Sequence, residues 1–252
     1  MGGAIIEAVL PRTDIEVYAF DPGKVERLQT LSVNICESAG EVARKSDYIV
    51  LAVKPQVIAD VLDEIAAEIT CEKVLVSIAA GVSSKLIQSH TSPQVKIVLA
   101  MPNTPIILGE GAVALARNEF VSDDEFAAVT DFFASCAVTA ELPEDKMNEV
   151  IAVSASSPAF IYLFAKGFFE YAESAGLDPK TAQSLFCAAL RGSARMLEEY
   201  NGDTDTLIKA VTSPGGTTIA GLGKLYSNNL VDTVKAACAA CTARAYELGN
   251  SK

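Results

Sequence analysis

From residue 15 to about 141, short apolar runs alternate with amphipathic stretches, and this alternation leaves the chain few folds to choose from. Ile15 to Phe20 reads as a strand. Tyr48-Ile49-Val50-Leu51-Ala52-Val53 is nearly continuous in apolar residues, the signature of a strand buried on both faces. Val74 to Ala79 repeats that pattern, and Val95 to Ala100 gives another strand. Between these runs the period changes. Lys24 to Leu31 reads as a helix; Pro55 opens a second in which Val57, Val61 and Ile65 recur at four-residue spacing. Leu86 and Ile87 sit in a short helix, and Ser122 with Glu125 forms a capping-box pattern ahead of Phe126, Val129 and Phe133. Strands and helices in this order imply an α/β domain built on a Rossmann-like, doubly wound parallel sheet.

After Pro143 the β signals vanish. Ala159 to Ala175 ends at Gly176, Pro179 to Tyr200 ends near Asn201-Gly202, and Leu230 to Leu248 ends at Gly249. Each is a helix stopped by glycine at its C-terminal side. The expected division is therefore 1–143, an α/β domain, and 144–252, an all-α domain. Phe160-Ile161-Tyr162-Leu163-Phe164 is apolar on every face and has to be covered all round. So few helices give little cover by themselves, so the helical domain is expected to self-associate as a dimer or higher homo-oligomer.

Composition narrows the partners. A net charge of −12 argues against nucleic acid and against an anionic membrane surface. The helix near Pro158 to Tyr171 contains Lys166 and Glu170 and reads as too short to span a bilayer. The start lacks a basic region and a cleavage-like site, which points to a soluble, cytoplasmic protein. The six cysteines show no framework spacing and read as free thiols of a reducing compartment. Cys238-x-x-Cys241 reads as small residues on a helix face. The single histidine, His90, rules out a multi-histidine metal site and is expected in a surface loop; no metal is expected.

A sheet of this kind suggests a dinucleotide site, whose fingerprint is a buried strand followed by G-x-G-x-x-G at the start of a helix. The chain begins Met1-Gly2-Gly3-Ala4-Ile5-Ile6, which matches only the end of that pattern. Asp21 lies near the offset of about 20 residues expected for a ribose-binding acid. It also begins Asp21-Pro22-Gly23, good turn chemistry, and both readings stand. An acid at this point favours NADH over NADPH, while Lys24 and Arg27 blur the preference. Ala52-Val53-Lys54-Pro55 and Ile78-Ala79-Ala80-Gly81 each follow a buried strand, where ligands of open α/β sheets gather.

One further stretch stands apart. Val211-Thr212-Ser213-Pro214-Gly215-Gly216-Thr217-Thr218 interrupts a helix-rich region and then opens an apolar helical run, Ile219 to Leu225. Paired glycines let the backbone take positive φ, and free amides at a helix start beside hydroxyls suit a carboxylate. By spacing alone a plain helix–loop–helix turn is the favoured reading.

This octapeptide, with Met101-Pro102-Asn103-Thr104-Pro105, Ala52-Val53-Lys54-Pro55 and the glycine remnant at Met1, resembles the Δ1-pyrroline-5-carboxylate reductase family, the last enzyme of proline synthesis. The first strand and turn glycines of that family's nucleotide motif have no counterpart here. The resemblance implies NADPH- or NADH-dependent reduction of a cyclic imine to L-proline, with the active site between the nucleotide sheet and the helical domain of a dimer. It implies Thr218 as the hydroxyl donor to the imine nitrogen. Gly215, Gly216 and Thr217 would hold the substrate carboxylate, with Val211 and Ser213 shaping the pocket. Met1, Gly2, Asp21, Ala52, Val53, Lys54, Pro55, Ala79, Ala80, Gly81 and Asn103 would bind the cofactor, Asn103 on the nicotinamide side. Ser156-Ser157-Pro158-Ala159 also resembles the family, although an N-cap followed by proline accounts for it. The rivals are a reductase of another imine or of a β-hydroxy acid, and a truncated paralogue that oligomerises without catalysis.

Overall fold

Residues 1–12, 14–23 and 25–250 are described in a computed structural model, the side chains of residues 25, 27 and 250 excepted. Lys24 and the Arg27 side chain, read from sequence as modifiers of cofactor preference, lie outside the described residues. The chain forms two compact units, residues 1–158 with 238–252, and residues 159–237.

The first unit opens with α1 (Gly2–Val9), β1 (Tyr18–Ala19), α2 (Val25–Gln29), β2 (Asn34–Ile35), α3 (Ala39–Lys45) and β3 (Tyr48–Leu51). There follow α4 (Ile58–Ile65), β4 (Val74–Ser77), α5 (Ser84–His90), β5 (Lys96–Pro102), β6 (Gly111–Arg117), α6 (Asp123–Ala134) and β7 (Ala137–Glu141). Strands β3-β4-β5-β6-β7 make one five-stranded sheet in that order, while β1 and β2 pair with each other in a separate parallel ladder.

Two apolar layers sandwich the larger sheet because alternate residues of each strand point to opposite faces. On one face Ile49, Leu51, Leu75, Ile97 and Leu99 pack with Ala43, Ile58, Leu62, Ile65 and Ile87 from α3, α4 and α5. On the other, Val74, Val76, Val98, Val113 and Leu115 pack with Ala4, Ile5 and Val9 of α1 and Phe126, Val129 and Phe133 of α6. The expected capping box starts α6: Glu125 N–H donates to Ser122 Oγ at 3.3 Å and Ser122 N–H to Glu125 Oε2 at 2.9 Å.

The structure corrects several expectations. The sheet is not wholly parallel, because β5 and β6 run antiparallel. Only the short 3₁₀ turn Thr104–Leu108 joins them, and a parallel crossover needs a dozen residues or more. The strand expected over residues 15–20 is ordered only at Tyr18–Ala19. β3 is buried on one face rather than two; Tyr48 and Val50 are exposed because β3 is the end strand and α1 covers Val74 and Val76 instead. His90 ends α5 rather than lying in a loop, its Nδ1 2.8 Å from Asp63 Oδ1.

A nearly unbroken helical run then leads out of the sheet: α7 (Met147–Val150), a π-helical turn (Ile151–Ala155) and α8 (Ser157–Ser174). Counted from Glu144 it is 31 residues, longer than the sequence reading allowed, and its most apolar 18-residue stretch has a mean hydropathy of 1.4, enough by length and composition alone to cross a membrane. α9 (Pro179–Glu199), α10 (Thr204–Ala210), α11 (Thr217–Ser227) and α12 (Leu230–Asn250) complete the chain. Asp178 caps α9 through the Thr181 amide, and Asp203 caps α10 through that of Thr206. The second unit is rich in apolar side chains and almost none is covered. Ala172 alone is buried between Ala159 and Ala237, whereas Leu163, Tyr171 and Leu185 are each about two-thirds exposed or more.

Candidate active site

Three strand ends and one helix start meet at the carboxyl edge of the first unit's parallel strands. α1 begins directly beside the end of β3: a Cβ on Gly2 would lie 2.8 Å from Ala52 Cβ, so only glycine lets the helix start come this close. The amides of Ala4 and Ile5 are turned back onto Met1 O. Those of the first helical residues, Gly2 and Gly3, have no acceptor within the helix and are aimed at whatever lies beyond its start. A helix start of this kind favours phosphate, both through its amides and through its dipole. Lys54 is exposed at the end of β3, with Pro55 opening the following 3₁₀ turn. The structure thus brings Met1, Gly2, Ala52, Val53, Lys54 and Pro55 to one corner, and the cradle fits a dinucleotide phosphate.

Asp21 follows β1, and its Oδ1 accepts from Gly23 N–H at 2.9 Å. The turn reading is therefore realised, and it occupies one carboxylate oxygen. Ala79 is buried among the layer under α4 and α5, with Ala80 half-buried. Gly81 has φ +78°, and a Cβ there would lie 2.6 Å from Ala245 O and 3.1 Å from Gly249 N. The space its missing side chain creates is filled by the end of α12, so this glycine serves close helix packing as well as the turn.

Asn103 is tied into the protein in a way the motif did not show. It is buried, and its side chain is bonded at both ends: Oδ1 accepts from Ala112 N–H at 2.9 Å and Nδ2 donates to Ser154 O at 3.1 Å. One Nδ2 hydrogen and one Oδ1 lone pair remain beyond these two bonds. Neither partner was foreseeable from the motif, since Ser154 lies 51 residues further on. Sequence reasoning also missed the π-helical turn, although Pro158 signalled it: a proline cannot give Ser154 O the amide that an α-helix would supply.

In the second unit the octapeptide connects α10 to α11. Val211 ends α10 and is exposed; Thr212 Oγ1 donates back to Ile208 O at 2.5 Å. Gly216 N–H donates to Ser213 O at 3.1 Å, closing a tight turn in which Gly215 takes φ +73°. Gly216 is extended (φ −78°, ψ 171°) and stands as N-cap of α11 without a side-chain cap. A Cβ on it would meet Ser213 Oγ at 2.5 Å. The amides that start α11, on Thr217 and Thr218, are thus left to an outside acceptor, beside two exposed hydroxyls. Ser213, Gly215, Gly216, Thr217 and Thr218 lie together in this turn and the start of α11.

Comparison with known proteins agrees with this geometry. The family described as pyrroline-5-carboxylate reductase dimerisation matches residues 144–248, and NADP oxidoreductase coenzyme F420-dependent matches residues 1–81. The chain is 32% identical over 252 residues to pyrroline-5-carboxylate reductase of Escherichia coli (strain K12), covering all of this chain and 94% of that one. It is 34% identical over 258 residues to the enzyme of the same name from Synechocystis, covering 98% and 96% of the two chains. The crystal structure of Plasmodium falciparum pyrroline carboxylate reductase with NADP bound superposes with a TM-score of 0.93 at 30% identity, covering 99% of this chain and 95% of that one.

Proposed function

The chain belongs to the pyrroline-5-carboxylate reductase family, and from that premise we propose that the loop Val211–Thr218 binds the imine while the corner around Gly2 and Lys54 holds the cofactor. The reaction is the NAD(P)H-dependent reduction of Δ1-pyrroline-5-carboxylate to L-proline. The division of labour follows residues 1–143 for the dinucleotide and 144–252 for substrate and self-association.

When bound, the reduced nicotinamide supplies a hydride to the imine carbon. The chain's own residues do the rest. The amides of Gly215 and Thr217 hold the substrate carboxylate against the positive end of α11 and so fix the ring, while Gly216, whose own N–H closes the turn onto Ser213 O, keeps the approach to them open. Thr218 Oγ1 donates a hydrogen bond to the ring nitrogen, so that the electron pair arriving there is stabilised while the nitrogen takes up a proton. Val211 and Ser213 shape the walls. Gly2 and the residue after it leave amides for the pyrophosphate with Met1 beside them, Lys54 adds a positive charge, and Asp21 contacts the ribose. Either nicotinamide cofactor is compatible with that set.

We propose further that the second unit works as a dimer or higher oligomer in the cytoplasm. The exposed apolar faces of α8 and α9 support self-association, and six unpaired cysteines support a reducing compartment. The observation that carries the catalytic reading is the tight Ser213–Gly216 turn delivering two glycines and two threonines to the start of α11.

The test follows nicotinamide oxidation with Δ1-pyrroline-5-carboxylate, offering NADH and NADPH in parallel, for wild type, Thr218→Ala and Thr218→Ser. Thr218→Ala should lower kcat by about 100-fold, the scale of one lost transition-state hydrogen bond. Thr218→Ser should keep most of the rate. Equal rates for all three proteins would remove Thr218 from the mechanism, and a folded wild type that binds cofactor without turnover would sink the assigned reaction.

A further inference from the structure

Four polar residues are buried in the described structure, and two of them, Asn103 and Asn118, clip the same pair of strands at opposite ends. At the end away from the cofactor corner, Asn118 Oδ1 accepts from Ile97 N–H at 3.1 Å and its Nδ2 donates to Val95 O at 2.8 Å. At the carboxyl edge, Asn103 is tied to Ala112 in both directions, since its own N–H also donates to Ala112 O at 3.2 Å. The two differ in one respect. Asn118 stays within β5 and β6, whereas Asn103 reaches on to Ser154 O in the π-helical turn.

We infer that Asn103 is a positioning residue for hydride transfer, joining the π-helical turn to the loop that supports the start of α1; the inference rests on the reading of the cofactor corner given above. Ser154 O has no helical amide partner because residue 158 is proline; Asn103 Nδ2 donates to it at 3.1 Å, with Ser157 Oγ further off at 3.5 Å. On its other side Asn103 fixes the entry to Thr104–Leu108. Ile106 of that turn is wholly buried in the layer that holds Ala4 and Ile5 of α1. A Cβ on Gly111 would lie 2.9 Å from Ile106 Cα, so the turn has no room to shift towards β6. Ser154, Asn103, Ala112, Ile106 and α1 therefore form one continuous set of contacts behind the carboxyl edge. Loosening Asn103 releases the loop on which the helix start rests, and small misplacements of reacting groups cost rate steeply.

The control is built into the fold. Asn103→Ala and Asn118→Ala each remove a buried side chain with two hydrogen bonds across β5 and β6, so both should lower Tm to a similar degree. Only Asn103→Ala should alter the chemistry. The expected loss in kcat is about 10- to 100-fold, with a larger primary isotope effect from cofactor deuterated at the transferred position and KM for the imine moving by less than about threefold. Asn103→Asp keeps the acceptor for Ala112 N–H but sets an oxygen against Ser154 O, and should resemble the alanine variant. NADPH affinity, read from nicotinamide fluorescence, gives an arm that needs no turnover: at least about fivefold weaker for Asn103→Ala, unchanged for Asn118→Ala. If the two alanine variants lose stability alike and neither changes kcat, isotope effect or NADPH affinity, Asn103 is structural only and the inference falls. A wild-type-like Asn103→Asp would likewise overturn it. Wild type that binds NADPH but leaves the imine untouched would refute the assigned reaction while the binding arm still decides this point.

Discussion

The two adjacent glycines of the proposed substrate loop are present for different reasons, and substitution should separate them. Gly215 sits at φ +73° with open space around it, so a side chain there is resisted by the backbone alone. Alanine should cost about 1–2 kcal/mol, the ordinary penalty for a non-glycine residue in the left-handed region, and asparagine less. Gly216 is extended and carries no such penalty; its obstacle is Ser213 Oγ, 2.5 Å from where a Cβ would stand, with Ser213 O at 3.2 Å. Alanine there must drive the serine hydroxyl from its rotamer and nudge the turn, at about 1 kcal/mol or somewhat more. That corresponds to roughly five- to tenfold in binding. The assay is inhibition by L-proline in steady state, alongside chemical unfolding of each variant. Gly216→Ala should raise the proline inhibition constant by about that factor with little change in stability, and the double variant Ser213→Ala/Gly216→Ala should bind better than Gly216→Ala alone. If the two substitutions simply add, the clash is not the cause and the reasoning fails.

Two further expectations concern the assembly and the sheet. With Ala172 as the only buried residue from Ala159 to Ala237, the helical unit should gain its stability from association, so Tm should climb with protein concentration; a Tm constant over a hundredfold range would refute this. Glu125 is pushed up by burial but held below its usual range by Lys96, whose Nζ is 2.5 Å from Oε1, and by the Ser122 hydrogen bonds. A depressed carboxyl adds stability above its unfolded value of about 4.3 that is lost as pH falls through the lower native value. Lys96→Met should therefore shift the acid unfolding midpoint to higher pH, as followed by circular dichroism, and an unmoved midpoint would show the pair to be inert.

What the sequence revealed tracks how local each signal is. The Val74–Ala79 run, the Ser122–Glu125 capping box and the paired glycines all speak through neighbours a few residues away, and each appears in the structure where it was expected. β6 went unread because Ala112, Ala114 and Ala116 dilute the β-branched character by which strands are recognised, and Ala137 and Ala140 do the same in the short β7. The exposed face of β3 was not legible either, since the Tyr48–Val53 run cannot say that α1 settles on Val74 and Val76. Gly81 and Asn103 show the same limit within the site. Both motifs were visible, but the partners that decide their roles, Gly249 for one and Ser154 for the other, are distant in sequence.

The separation of the β1–β2 ladder from the main sheet bears on how the molecule opens. Two rungs, Tyr18 with Asn34 and Ala19 with Ile35, hold that ladder, against the continuous five-strand network beside it. A two-stranded pair is marginal by itself, so this segment is positioned to exchange its amides through local opening while the larger sheet stays closed. Asp21, proposed above to contact the ribose, follows β1 in that segment. On that proposal, dinucleotide affinity carries the free energy of closing the segment, and a bound cofactor should protect these amides selectively, as a clasp on a weakly paired part of the fold.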